Sequence, residues 1–201
     1  KIVFGWSLVG AFKMIFWFRK NSLFRCLILL HLSCSLVFGQ QLPSGAVLQN
    51  GNAKVNYHGS SMYIRQSSSR AVIDWQSFDV GQGGAVHFIQ PSQVSATLNR
   101  VTGGGASQIL GQIKAPGQVF ITNGNGVYFG RSASVDVGSL VASSLDLAAD
   151  DFMQGNLKFL QKGSEDSAII NEGELQAREQ GFIALLAPEV RNDGFIFARK
   201  G

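Results

Sequence analysis

Cysteine is absent beyond Cys34. Cys26 and Cys34 are the only two in 201 residues, so residues 40–201 can hold neither a disulfide framework nor a thiolate metal site. Proline is scarce, with four, and charged residues make up only 15 %. That is too few for a charged helical bundle, whereas 24 glycines suit a β-rich chain with many turns. Acidic residues are missing from the first 39 positions, which carry Lys1, Lys13, Arg19, Lys20 and Arg25. The net charge of +4 is therefore unevenly placed, leaving 12 basic against 13 acidic residues in the remainder. No basic face is left there for nucleic acid, and no nucleic-acid partner is expected. His87 has no second His, Cys or carboxylate at metal-ligand spacing, and its expected role is a hydrogen-bonded or solvent-facing strand residue. Gly103-Gly104-Gly105 lacks the Lys-Ser/Thr of a phosphate loop and reads as a turn. Nothing calls for a cofactor or a metal.

Long apolar runs are confined to the front of the chain. From Met14, the better start candidate in a chain that begins at Lys1, a basic region leads into an apolar core at Cys26–Phe38 and then Gly39. The core is about 13 residues, short of the ~20 needed to span a bilayer. Residues 1–39 thus read as a secretory signal for the Sec machinery, with cleavage expected between Gly39 and Gln40.

The rest is short β-favouring clusters separated by turns. Ala46–Leu48, Lys54–Tyr57, Ser60–Arg65, Ala71–Trp75 and Ala85–Ile89 are candidate strands. In Ile73–Phe78 apolar and polar residues alternate, which puts Ile73 and Trp75 on one face and makes Trp75 a core anchor. From Asn99 to Gly130 runs the stretch around which the chain is organised. Ile109–Leu110, Val119–Ile121 and Val127–Phe129 flank the turn Asn123–Gly126, where Gly and Asn tolerate positive φ. Near the C-terminus Ile169, Asn171, Gly173, Leu175 and Ala177 recur 21 residues later as Val190, Asn192, Gly194, Ile196 and Ala198. Such a period marks a solenoid, because one unit cannot bury its own apolar face. The expected fold is all-β, a right-handed single-stranded parallel β-helix of about seven coils and about 21 residues per coil over residues 40–201. Asp150-Asp151 reads as a solvated turn, and the chain past Lys200-Gly201 is expected to continue.

The central stretch resembles the N-terminal secretion domain of two-partner-secreted exoproteins, the family of filamentous haemagglutinin. The resemblance rests on Asn99-Arg100-Val101-Thr102, Ser107–Gly111, Gly117–Phe120 and Asn123-Gly124-Asn125-Gly126, extends to Leu42–Gly51 and Ile73–Phe78, and covers most of residues 42–201. Gly124 departs from it, standing where the family has Pro. What the resemblance implies is a secretion domain at the head of a large adhesin or haemagglutinin. Such a domain would be recognised by the periplasmic domains of an outer-membrane transporter and would nucleate β-helix folding. Asn99–Thr102 and Asn123–Gly126 would be the recognition motif, and the product would be secreted or held at the surface of a Gram-negative cell. Contact with host cells or glycans would belong to a C-terminal region beyond this chain.

Two other function classes compete. A β-helical lyase or glycosidase needs paired carboxylates, and Glu172 and Asp193 share the 21-residue register. They sit in a turn motif, so no catalytic residue is assigned. A glycan-binding adhesin module is the other.

Overall fold

Strand formation here follows the short β-branched and aromatic clusters, and their stacking is what buries them. The computed structural model describes residues 41–160 and 164–198. The signal reading, Met14 and the Gly39/Gln40 cleavage site lie outside the described residues. The first strands are β1 (Val47–Asn50), β2 (Ala53–His58), β3 (Ser61–Gln66) and β4 (Arg70–Trp75). Then come β5 (Ala85–Ile89), β6 (Ala96–Val101), β7 (Ser107–Ile109), β8 (Gln112–Lys114) and β9 (Gln118–Asn123). The next are β10 (Val127–Phe129), β11 (Ser134–Val137), β12 (Ser139–Ser143) and β13 (Asp146–Leu147). A helix α1 (Ala149–Gln154) and β14 (Phe159–Leu160) follow. The chain closes with β15 (Ala168–Asn171), β16 (Glu174–Ala177), β17 (Ile183–Leu186), β18 (Glu189–Asn192) and β19 (Phe195–Ala198).

Three sheets form the walls of a solenoid, in the orders β1-β4-β6-β9-β12-β17, β2-β3-β5-β8-β11-β16-β19 and β7-β10-β15-β18. Each full coil takes one strand from the seven-stranded sheet, one from the six-stranded and one from the four-stranded, as in β8-β9-β10. The ladders between coils are parallel, and like residues stack. Met62, Val86, Ile113, Val135, Leu175 and Ile196 stand in one column. The first five of these residues lie in the main core with Trp75, Phe78 and Phe129, while Ile196, in the last coil, is exposed. Trp75 is fully buried on the same side as Ile73, as its alternation predicts. Asn171 pairs with Asn192 in adjacent coils, Nδ2 donating to Oδ1 at 2.7 Å.

Four details depart from the expectation. The solenoid has about 6 turns of about 23 residues, not seven of 21. The step is 21 from Gln118 to Ser139 and from Ala168 to Glu189, but 26 from Arg70 to Ala96, because corner loops differ in length. The second departure is at the first coil, where β1 pairs with β4 and β2 with β3 in antiparallel fashion. Third, Leu140 and Ile183 are neighbours 43 residues apart because β13, α1 and β14 leave the coil between them. Asp150 and Asp151 are not in a solvated turn but in the first turn of α1, where carboxylates favour the positive end of the helix dipole. His87 is half-buried and stacks on Tyr63, with ring centroids 5.0 Å apart.

Candidate functional site

Parallel stacking brings the two sequence motifs side by side, since Val101 at the end of β6 is the register partner of Asn123 at the end of β9. Alternation along β6 then sorts the residues by direction. Asn99 shares a column with Ile73, Ile121 and Ala142, which places an amide inside an otherwise apolar wall. It is completely buried and fully engaged: Trp75 Nε1 donates to its Oδ1 at 3.1 Å, and its Nδ2 donates to the Phe120 carbonyl at 3.0 Å. Arg100 points the other way and forms a two-pronged ion pair with Asp74, at 2.7 and 2.9 Å. Val101 packs against the main core, while the Thr102 backbone N–H and hydroxyl both donate to the Trp75 carbonyl.

Asn123 is the buried partner motif's anchor. Its Nδ2 donates to Gly105 O at 2.9 Å and to Ser107 Oγ at 3.0 Å, and its Oδ1 accepts from the Asn125 backbone N–H at 2.9 Å. This side-chain turn mimics a backbone turn, and the Gly126 N–H closes the outer loop by donating to Asn123 O at 2.8 Å. Gly126 sits at φ 95°, and a Cβ there would collide with the Ala168 carbonyl of the next coil. Gly124 and Asn125 have no positive φ, so the turn is of the type that favours Pro at its second position. Asn125 is exposed and its Nδ2 donates to Gly103 O at 3.3 Å.

Around these residues opens a cleft of about 480 Å³. Arg100, Val101, Thr102 and Gly103 form one wall, and Thr122–Asn125 form the second. Ser144, Leu145, Asp146 and Ser164 complete it from the segment that leaves the coil. That third wall has no signal in the motifs, because it depends on where the excursion folds back. Ser164 N–H donates to Gly124 O at 3.2 Å and ties it to the turn. Of the eight sequence-assigned residues, six line the cleft, while Asn99 and Gly126 do not.

Glu172 and Asp193, the carboxylates aligned by the 21-residue register, are otherwise engaged. Glu172 accepts from Arg131 Nε and from the Tyr128 hydroxyl, each at 3.1 Å. These bonds hold its carboxyl below the usual range, opposite to what a general acid requires. Burial and the same carboxylate raise the Tyr128 phenol. Asp193 pairs with Arg191 at 2.8 Å. Among the described residues no cluster of three or more His, Cys, Asp or Glu could hold a metal.

Residues 39–200 match the model of the TPS secretion domain. The chain is 34 % identical over 186 residues to a heme/hemopexin-binding protein of Haemophilus influenzae, covering 90 % of this chain and 21 % of that protein. A second Haemophilus influenzae protein of that description is 39 % identical over 112 residues, 56 % of this chain and 12 % of its own length. The chain thus spans about a fifth or less of these relatives. Among solved structures, the HMW1 secretion domain from Haemophilus influenzae superimposes with a TM-score of 0.72 at 29 % identity, covering 78 % of this chain and 44 % of that one.

Proposed function

Because the chain belongs to the TPS secretion domain family, we propose that its two motifs divide secretion between building a corner and presenting a surface. As a TPS domain it acts with an outer-membrane transporter of the two-partner pathway, and the protein that carries it is secreted across a Gram-negative outer membrane. The finer assignment is ours. Asn99, Asn123 and Gly126 set the geometry of the corner from buried positions. Arg100, Thr102, Gly124 and Asn125 form the accessible rim that the transporter's periplasmic domains contact. The observation that carries this reading is the shared cleft: two motifs 24 residues apart, Asn99 to Asn123, meet at one edge, each with a buried asparagine beside accessible residues.

The test is export with the cognate transporter measured beside thermal stability of the purified chain. Asn125→Ala should leave stability within the ±0.5 kcal/mol typical of surface changes and lower export. Asn123→Ala should lower both. Export of Asn125→Ala at the parent level would remove the rim from the recognition reading. We further propose that residues 1–39 deliver the chain to the Sec machinery and are cleaved after Gly39. Mass spectrometry of exported protein that retained Met14–Gly39 would refute this. Adhesion to host surfaces or glycans we assign to sequence beyond this chain in the full protein.

A further inference from the structure

The outer face of the six-stranded sheet carries a second apolar cluster that the coil repeat does not require. Val72, Leu98, Phe120 and Val141 stand in one register column across β4, β6, β9 and β12, and Leu147 and Phe152 pack on it. Phe152 meets Phe120 edge-on, with centroids 5.2 Å apart and planes at 70°. Arg70, at the start of β4, closes over the same ring at 5.1 Å, and its Nη1 donates to the Phe152 carbonyl at 2.9 Å. A cation at the carbonyl end of a helix is favoured by the helix dipole.

Two facts make this contact more than packing. Helix α1 has six residues and no side-chain cap at Ala148, far below the ~12–15 residues at which an isolated helix becomes marginal in water. It therefore forms only against a sheet that is already stacked. The contact also joins Arg70 to a carbonyl 82 residues later, across the two intervening strands β6 and β9 of the sheet. Ordinary solenoid coils couple only to their neighbours, and their ends can open separately.

We propose that α1 is a clasp that locks β4, β6, β9 and β12 into one cooperative unit, with docking of Phe152 as the committing step. When the chain emerges from its N-terminus, the early coils pair reversibly until residue 152 is available, and they are held thereafter. This rests on the reading of the domain as the seed of its solenoid, and it places the commitment inside that seed.

Native-state hydrogen exchange on the 201-residue chain tests it, with Phe152→Ala and Arg70→Gln as variants. In the parent, the slowest amides of the four strands should exchange through one common opening. In Phe152→Ala, those of β4 and β6 should exchange at least tenfold faster relative to those of β12. Arg70→Gln, which keeps the ring, should give the same ordering with a smaller ratio. Equal acceleration of all four strands, or none, overturns the clasp. If Phe152→Ala does not fold, Arg70→Gln decides by the same criterion. Export measured on the same variants separates the two ideas. Decoupled strands with parental export leave the clasp standing and detach it from secretion. Uniform exchange with lost export overturns the clasp and leaves the seed reading intact.

Discussion

At the scale of single residues, burial decides what a motif can do. Asn99 has its amide in an apolar column and both its acceptor and donor engaged. Asn99→Ala strands the Trp75 indole N–H without its acceptor, and a buried unsatisfied group costs about 1–3 kcal/mol. At about 2–4 °C per kcal/mol for a chain of this size, calorimetry should show a drop of several degrees. Gly126 is constrained differently. Its φ of 95° lies in the left-handed region, which costs a residue with a Cβ about 1–2 kcal/mol, and the Ala168 carbonyl stands where that Cβ would go. Gly126→Val should therefore destabilise by more than that backbone term alone. Gly124→Pro has the opposite sign. At this turn position Pro is compatible, and lower unfolded-state entropy should stabilise by about 0.4–1 kcal/mol. Urea melts of the three variants check these signs together, and a destabilised Gly124→Pro would show that the turn differs from the one described.

At the scale of elements, stacking was legible and excursions were not. Ile169–Ala177 and Val190–Ala198 display the repeat because in-register coils place equal demands on equivalent positions, and Asn171 does bond to Asn192. The parallel stacking followed from the repeat, but the antiparallel direction of the first strands left no trace. Alternation in Lys54–Tyr57 specifies a half-buried strand but not that its partner β3 runs antiparallel. Helix α1 was hidden because Ala149–Gln154 is too short to establish a helical period and has no capping side chain. With it went the third wall of the cleft, so the motif residues could be named in advance but not the Ser144–Asp146 face they share. Direction along the outer face of the four-stranded sheet also has a pH consequence. Arg131 and Tyr128 depress the Glu172 carboxyl, so its folded pKa lies below its unfolded value. Its contribution is complete above the unfolded pKa near 4.5 and is lost as pH falls through the lower folded value. Thermal melts of the parent should thus lose stability as pH falls below about 4.5 more steeply than those of Glu172→Gln. Parallel curves would mean that the Arg131–Glu172–Tyr128 contacts do not survive in solution.

At the scale of the molecule, the two ends of the solenoid are chemically different. At one end β1 and β2 run antiparallel to the strands they cover, so the parallel stack is closed off there. At the other end β17, β18 and β19 are the last members of their sheets, and among the described residues no strand pairs with their outer edges. Phe195 is 79 % exposed, and Val190, Ile196 and Phe197 are exposed beside it. In the isolated chain the same edge is a template for pairing with another molecule, since unpaired strand edges with apolar flanks associate. Sedimentation across a range of concentrations should therefore show self-association of the purified chain. Phe195→Lys combined with Phe197→Lys puts like charges on that edge without touching the inward column at Leu175 and Ile196. The double variant should keep a melting temperature close to the parent, because both side chains are largely outside the core, and should remain monomeric at concentrations where the parent does not. If parent and variant sediment alike, the open edge is not the surface through which copies meet, and association must be sought at the antiparallel end instead.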